Sequence, residues 1–288
     1  MKYRFVEKNR ERFSVKRICR MVGIARSAYY DWKRRQPSAR TQANDALLEH
    51  IRRIHKLSRK AYGSPRVYFA LKKQGIACSR NRVARLMRQD KLKGQRKYRR
   101  VRTTDSDHGF PVAENVLNRE FSAEKPDQKW VADITYILTD EGWLYLAGVL
   151  DLYSRKIVGW AMSHLIDADL VEKALRMAYY QRHPDPGLLH HSDRGSQYAS
   201  HQIRAFLAAN HTQVSMCRKA NCWDNAVIES FWGTLKNEWV HQRTYKTRAE
   251  AKTDIFEYIE GFYNTVRLHS TLGYLSPVEF EANYRKTP

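Results

Sequence analysis

Three carboxylates stand at positions where the surrounding sequence predicts regular structure. Asp133 interrupts a run of β-formers at residues 130–138, Asp193 follows a short apolar segment, and Glu229 lies in a segment with helical periodicity at 225–240. A carboxylate in the middle of a buried strand costs several kcal/mol unless an opposite charge or a metal ion compensates it. Asp133 therefore requires a partner, either an arginine or a metal ion.

Taken together, the three carboxylates predict a metal site. Asp193 alone is also compatible with an ordinary turn, and Glu229 alone with a solvated helical side chain. Oxygen ligands from two strands and a helix suit Mg²⁺ or Mn²⁺, and two such ions roughly 3.5–4 Å apart can clamp a phosphate during an in-line displacement. We expect Asp133, Asp193 and Glu229 to be catalytic and to bind two metal ions in each active site.

The segment that contains Glu229 has two predicted helical faces. Val227, Phe231 and Leu235 recur every four residues and are expected to face the core. Glu229 and Lys236 are seven residues apart, so we expect them on a second, exposed face. Lys236 would then contact a nucleic-acid phosphate near the metals.

The order of the elements around these carboxylates predicts an α/β fold. Three apolar segments with short joints favour a meander of strands, and helices and strands alternate after it. The predicted order is strands 130–138, 143–152 and 156–162, helix 168–181, strand 188–191, helix 201–209, strand 213–216 and helix 225–240. This βββαβαβα order is that of an RNase H-like fold, in which helices cover both faces of a mixed five-stranded sheet.

The positive charge of the chain is concentrated in its first third. The net charge is +22, and the first 100 residues hold 31 Lys or Arg against 6 Asp or Glu, whereas the other 188 hold 21 against 24. Such asymmetry is typical of a polyanion partner, because each Lys or Arg that meets a phosphate releases condensed counterions. A basic surface that serves only solubility is the alternative interpretation.

A helix-turn-helix-like unit is predicted within the first 40 residues. Val15, Ile18, Cys19 and Val22 fall on one helical face, and Gly23 allows a tight turn before a second helix. This spacing and the basic surroundings favour DNA contact, although a plain helical hairpin has the same pattern. We expect four basic residues of the second helix and its end to bind DNA, namely Arg26, Lys33, Arg34 and Arg35.

A second helical DNA-binding unit is predicted before residue 100. Residues 47–54 have helical periodicity, Gly63-Ser64-Pro65 breaks the pattern, Gly75 ends the next helix, and Ser79 can cap the one that follows. The dense basic segment 91–102 is interpreted as a linker that follows the phosphates, with Arg99 and Arg100 as DNA-binding residues. A solvated tail is the alternative for that segment.

The composition changes along the chain predict five regions. They are a helix-turn-helix-like unit at 1–40, a second helical DNA-binding unit at 41–100, a basic and polar linker at 101–128, the catalytic core at 129–240 and a helical C-terminal extension at 241–288. The four cysteines lack the paired short spacing of a zinc module, so no structural zinc is expected. With no export signal and no apolar run long enough to cross a membrane, the chain is expected in the cytoplasm.

Several motifs together carry a resemblance to a known family. The chain resembles the second-frame (OrfB) transposases of bacterial insertion sequences of the IS-three type, which are DDE transposases with a catalytic core like that of retroviral integrases. The spacing of 35 residues between Asp193 and Glu229 is the spacing of that family's acidic motif. The other matching motifs lie at residues 130–136, 151–155, 191–198, 221–226 and 263–269.

The resemblance implies a metal-dependent polynucleotidyl transferase. The implied reaction is DNA 3′-end cleavage and strand transfer, with Asp133, Asp193 and Glu229 as the metal-binding triad and Lys236 as the basic residue of the same helix. The implied partners are double-stranded DNA, both the terminal inverted repeats of the element and the target, a second copy of the chain on DNA, and an upstream first-frame protein. A sequence-specific regulator and an RNase H-like nuclease without transposition activity remain the alternatives.

Aromatic and basic residues outside the triad allow two interpretations. Trp223 and Trp232 could stack on a displaced base or fill the core, and we expect them in the core. Tyr263, Arg267 and His269 could take part in catalysis or pack the C-terminal helices, and we expect packing.

Overall fold

A computed structural model of the chain describes residues 1–95, 111–219 and 221–284. Its contacts divide the chain into two compact units, Met1–Arg52 and Arg53–Pro288. In the described residues, no helix combines the length and the apolar character needed to cross a membrane.

The first unit is a small helical body. It contains α1 (Lys2–Asn9), α2 (Val15–Val22), α3 (Arg26–Arg34) and the beginning of α4 (Ala39–Leu57). The predicted turn at Gly23 is confirmed, because this residue is left-handed with φ 64° and its N–H caps α2. A core of Val6, Ile18, Cys19 and Tyr29 holds the helices together. Helix α1, which supplies Val6, was not among the predicted elements.

The predicted helices of the second basic region are also confirmed. They are α5 (Ser64–Lys73) and α6 (Arg80–Gln89). Gly75 follows α5 with φ 74°, and Ser79 caps α6 by accepting a hydrogen bond from the N–H of Arg82 at 3.3 Å. These two helices belong to the same compact unit as the sheet.

The second unit contains the predicted mixed five-stranded sheet. Its strands are β1 (Lys129–Thr139), β2 (Gly142–Asp151), β3 (Ile157–Ser163), β4 (Leu189–Ser192) and β5 (Gln213–Met216), in the spatial order β3-β2-β1-β4-β5. The β1–β2 and β2–β3 pairs are antiparallel, and the β1–β4 and β4–β5 pairs are parallel. The intervening helices are α7 (Ala168–Arg182), α8 (Ser196–Ala199), α9 (His201–Ala209) and α10 (Ala226–Glu238). The short helix α8 is an addition to the predicted order.

Two glycines allow helices to approach the two faces of the sheet closely. A Cβ added at Gly159 would lie 2.3 Å from the carbonyl oxygen of Ala174 in α7. A Cβ added at Gly148 would lie 2.7 Å from the ring of Trp232 in α10. Gly159 pairs with Val149, the neighbour of Gly148 in β2, so the two glycines lie on opposite faces. The prediction of helices on both faces is therefore confirmed.

The C-terminal region closes the second unit. It begins with α11 (Arg248–Phe256), continues as a π-helix at Glu257–Tyr263 and ends with α12 (Pro277–Tyr284). Short 3-10 turns lie at Cys222–Asn225, Val240–Gln242 and Ser270–Leu272. The side-chain amide of Asn264 bonds both the N–H and the C=O of Ile157 at 3.0 Å, on the outer edge of β3. This contact ties the C-terminal region to an edge strand of the sheet.

Candidate active site

Asp133 lies in the middle of β1 and is held by two hydrogen bonds. Its Oδ1 accepts from the backbone N–H of Ile134 at 2.9 Å, and its Oδ2 accepts from the indole N–H of Trp232 at 3.0 Å. Among the described residues no lysine or arginine forms an ion pair with this carboxylate. The described residues therefore give no support to the arginine alternative for Asp133.

Asp193 directly follows β4 and lies level with Asp133 across the parallel pair. Val131 of β1 pairs with His191 of β4, so two further residues along each strand bring Asp133 and Asp193 side by side. The N–H of Gly195 donates to Oδ1 of Asp193 at 2.9 Å, and a Cβ at Gly195 would lie 3.0 Å from that oxygen. The turn after β4 thus orients the carboxylate, so Asp193 is a turn residue as one interpretation proposed. Its role as a metal ligand stays a prediction.

Glu229 lies in the first turn of α10, and this helix begins against β1. The side-chain amide of Asn225, just before the helix, donates to the carbonyl oxygen of Ala132 at 3.0 Å. Ala132 is the residue before Asp133, so one hydrogen bond ties the start of the Glu229 helix to the Asp133 strand. Glu229 is half-buried.

The electrostatics connect all three carboxylates. Burial raises the pKa of Asp133 well above its usual range, and the nearby carboxylates of Asp193 and Glu229 raise this pKa further. The hydrogen bonds from Ile134 and Trp232 oppose the rise. Two like charges that act on a third through protein must lie close to it. The structure thus brings the sequence-predicted trio into one neighbourhood.

The carboxylates are near one another without forming a closed cage. In the residues that the structure covers, no three His, Cys, Asp or Glu side chains are already gathered closely enough to hold a metal ion. The metal assignment of these residues stays a prediction.

Lys236 lies near the carboxylates, and its environment is aromatic. Its Nζ is 4.3 Å from the ring centroid of Tyr136, which is cation–π distance. Burial lowers the pKa of this lysine, and the charge of Asp133 opposes that effect. Contact with a phosphate is a prediction for Lys236.

A buried ionic cluster fixes the segment before α10, and this cluster was not predicted from the sequence. Asp224 is fully buried and accepts hydrogen bonds from Arg119, Arg218 and Asn115 at 2.7–2.9 Å. The hydrogen bonds from Arg218 hold the pKa of Asp224 well below its usual range. Asp224 was part of a family motif, but its partners lie up to 109 residues away and left no local signal.

The predicted faces of α10 require one correction. Phe231 and Leu235 are buried as expected, but Val227 is only half-buried. Ile228 and Trp232 take the remaining core positions. The helix is therefore covered on a broader face than the four-residue stripe predicted.

The two tryptophans near Glu229 have different environments. Trp232 is buried in the core, as predicted. Trp223 is 67% exposed, so the prediction that it packs in the core is wrong. It lies in the 3-10 turn before α10, a single turn that presents its side chain to solvent instead of to the sheet.

The remaining predicted residues divide into three groups. Tyr263, Arg267 and His269 are buried, and Arg267 forms a bidentate ion pair with Glu238 at 2.7 Å, in agreement with packing. The predicted DNA-binding residues Arg26, Lys33, Arg34 and Arg35 are exposed, and Lys33 lies 3.5 Å from Glu7. Arg99 and Arg100 lie outside the described residues.

Three models of protein families match parts of the chain. An "HTH-like domain" matches residues 42–100, and two descriptions named "Integrase core domain" match residues 123–222 and 229–284. The first two agree with a helical front region followed by a sheet, and the third covers α10 and the C-terminal helices.

Two curated proteins are similar to the chain over nearly its whole length. The "Insertion element IS600 uncharacterized 31 kDa protein" of Shigella sonnei is 45% identical over 93% of this chain and 99% of that protein. The "Transposase InsF for insertion sequence IS3A" of Escherichia coli (strain K12) is 40% identical over 98% of each. Among solved structures, the HTLV-2 integrase catalytic core domain in complex with magnesium is 14% identical, with a TM-score of 0.42 over 55% of this chain and 98% of that one.

Proposed function

The chain belongs to the family of insertion-sequence transposases, and from this premise we propose that Asp133, Asp193 and Glu229 form its catalytic, metal-binding triad. The proposed reaction is cleavage at the DNA 3′ ends of the element followed by strand transfer. The observation that carries the assignment is the placement of the three carboxylates, because Asp133 and Asp193 lie side by side on the parallel pair β1–β4 and the charges of Asp193 and Glu229 both act on the half-buried Asp133.

The donor set fits a pair of hard divalent cations. Three carboxylates in one neighbourhood repel one another, and this repulsion adds to the effect of burial in raising the pKa of Asp133. A divalent cation bound among them would remove the repulsion and keep all three ionised. Mg²⁺ and Mn²⁺ are the ions that such oxygen ligands favour, and two of them, when bound, would supply charge stabilisation to both oxygens of an in-line displacement.

The residues of the chain orient the carboxylates and the DNA. The indole of Trp232 fixes one oxygen of Asp133, and the N–H of Gly195 fixes one oxygen of Asp193. Asn225 holds the start of the Glu229 helix against β1. Lys236 is proposed to bind a phosphate beside the carboxylates, where its positive charge would help to position the strand.

The proposed chemistry has two balanced steps without a covalent enzyme intermediate. In the first, a water oxygen bonds to the phosphorus, the bond from phosphorus to the 3′ oxygen breaks, and the element end keeps a 3′-hydroxyl. In the second, this hydroxyl oxygen bonds to a target phosphorus and a target 3′ oxygen leaves. Each step exchanges one P–O bond for another, so no oxidant or energy donor is needed.

A role is proposed for each of the five predicted regions. Residues 1–40 and 41–100 would bind the terminal inverted repeats, 101–128 would link them to the core at 129–240, and 241–288 would support that core. The match of an HTH-like domain to 42–100 supports the second of these assignments. Pairing of two element ends would require a second copy of the chain, and an upstream first-frame protein is a further proposed partner.

The test is strand transfer by the full chain with a labelled element-end duplex and Mg²⁺ or Mn²⁺. Glu229→Gln keeps the shape of the side chain and removes its charge. Glu124→Gln is the matched control, because Glu124 is exposed outside the predicted catalytic core. We expect the wild type and the control to cut and join DNA, and Glu229→Gln only to bind it.

Three results would contradict the proposal in different ways. If Glu229→Gln transfers strands as fast as the control, the triad assignment is wrong. If the wild type binds the element end but neither cuts nor joins it with either metal, a DNA-binding regulator becomes the better description. Cutting without joining would favour a nuclease.

A further inference from the structure

A cavity of about 470 Å³ lies beside α10, and none of the three carboxylates lines it. Its lining includes the guanidinium groups of Arg66, Arg155 and Arg267 and the carboxylate of Glu238. Ser230 and Gly233 of α10 also line it. Ser230 follows Glu229, so the cavity lies on the neighbouring face of the same helix.

The cationic groups of this cavity outnumber the anionic ones. Arg267 forms a bidentate pair with Glu238 at 2.7 Å, and Arg66 lies 3.5 Å from the same carboxylate. Burial and then the charges of Arg267, Arg66 and Arg155 lower the pKa of His269 to about 2, so this lining residue is neutral. Among the described lining residues, one carboxylate is therefore set against three arginines, which makes this part of the cavity positive.

Arg155 is held rigidly with one nitrogen unsatisfied. Its backbone is left-handed with φ 61°, its carbonyl accepts from the Tyr263 hydroxyl at 3.1 Å, and its Nη2 donates to the Phe121 carbonyl at 3.0 Å. Its Nη1 is buried and has no hydrogen-bond partner among the residues that the structure describes. A buried charged donor without an acceptor is destabilising. Arg155 lines the cavity, so an anion bound there would compensate the charge of this guanidinium group.

The size and the donors of the cavity fit a phosphate group. Guanidinium groups bind phosphate oxygens through paired, charge-assisted hydrogen bonds. The hydroxyl groups of Ser270 and Thr271 line the same cavity and are exposed, so its mouth is accessible. The described volume is large enough for a phosphate with part of its attached sugar.

We propose that this cavity, centred on Arg155, binds a backbone phosphate of the DNA substrate at a site separate from the carboxylate triad. The choice of DNA as the source of the phosphate rests on the proposed function. A strand held there would lie along one face of α10 while Glu229 occupies the next. The site would thereby add a DNA contact that does not depend on metal ions.

The test measures DNA binding by the full chain without metal, so that catalysis plays no part. A labelled element-end duplex is titrated at several salt concentrations with the wild type, Arg155→Gln and Thr271→Glu. Arg204→Gln and Ala205→Glu are the matched controls, because both positions are exposed on α9 outside the cavity. Unchanged melting temperatures show that the variants are folded, and Thr271→Glu introduces its charge at an exposed position.

We expect the two cavity variants to bind the duplex about three- to tenfold more weakly than the controls. The slope of log affinity against log salt should become shallower by about 0.9, the value for one lost phosphate contact. Equal slopes for cavity and control variants would overturn the DNA assignment. If, in addition, inorganic phosphate raises the melting temperature of the wild type but not of Thr271→Glu, the site takes a free phosphate instead.

Absence of both effects would show that the cavity is not a phosphate site. These outcomes are independent of the strand-transfer test, because they are read without metal. A chain that fails to transfer strands can still show the salt-slope difference, so failure of the proposed function and failure of this proposal are distinguishable.

Discussion

Gly148 lies directly opposite Asp133 in the β1–β2 register, and the space that its missing side chain leaves is filled by the ring of Trp232. The same indole donates the hydrogen bond to Oδ2 of Asp133. A glycine on the middle strand pair thus allows a helix residue to reach a carboxylate that would otherwise have no partner on that oxygen.

Gly148→Ala is expected to lower both stability and strand transfer. The new methyl group would lie 2.7 Å from the ring of Trp232, so the indole must shift away from Asp133. Overpacking of this kind costs about 1–3 kcal/mol, and we expect a roughly tenfold loss of activity, since outer contacts of this type tune metal affinity by that amount. Denaturant unfolding and a strand-transfer assay measure the two effects. Gly261→Ala, where a Cβ meets nothing within 4 Å, is the control.

Trp232→Phe is expected to raise the metal concentration needed for activity. The change retains an aromatic ring but removes the N–H that donates to Asp133. Loss of a hydrogen bond that orients a metal ligand weakens metal affinity by about 10–100-fold. A Mg²⁺ titration of strand-transfer rate measures the shift, and Trp143→Phe at an exposed position provides the comparison. Identical titration curves for the two variants would refute the role of the indole.

Asp224→Asn is expected to remove an acid-sensitive part of the stability. Its pKa is lowered in the folded chain by Arg218, so ionised Asp224 stabilises the fold at pH values above the unfolded value of about 3.9. This stabilisation is lost as the pH falls from there towards the lowered folded pKa. We expect the variant to lose about 2 kcal/mol at pH 7 and to approach the wild type at low pH. Urea unfolding across this pH range measures it, and a pH-independent difference would contradict the argument.

Arg182→Met alone is expected to lower stability more than the double change in which Glu281→Gln also removes the charge of its partner. Arg182 bridges Asp127 at 2.8 Å and Glu281 at 2.9 Å, and both Arg182 and Glu281 are buried. The single change leaves the buried Glu281 carboxylate with Lys156, 3.6 Å away, as its remaining cation, and breaking a buried pair in this way costs up to about 3–5 kcal/mol. Arg182→Met with Glu281→Gln should recover part of this loss. Thermal unfolding of the single and double variants measures the coupling, and purely additive losses would rule it out.

The sequence predicted most of the sheet and its helices because their signals are local. Residues 130–138 are rich in β-formers, Gly23 and Gly75 end helices, and Ser79 caps one, so each feature is encoded within a few residues. The three carboxylates could be predicted for a related reason, because a carboxylate such as Asp133 is unusual inside an apolar strand.

The contacts that orient the site could not be predicted in the same way. The bond from Trp232 to Asp133 joins residues 99 positions apart, and the cluster around Asp224 joins segments that are 105 positions apart. Such pairings depend on the register of β1 and β2 and on where α10 packs. Trp223 was predicted in the core because tryptophans usually are, yet the turn before α10 directs it outward.

Asn264 has a consequence for assembly. Its amide occupies both outward-facing backbone groups of Ile157 on the edge strand β3. An unpaired edge is a template on which another molecule can add a strand and begin to aggregate. A strand from another molecule that paired with β3 at Ile157 would first have to displace this amide. The edge of β3 is thereby protected at Ile157 against pairing with the sheet of another molecule.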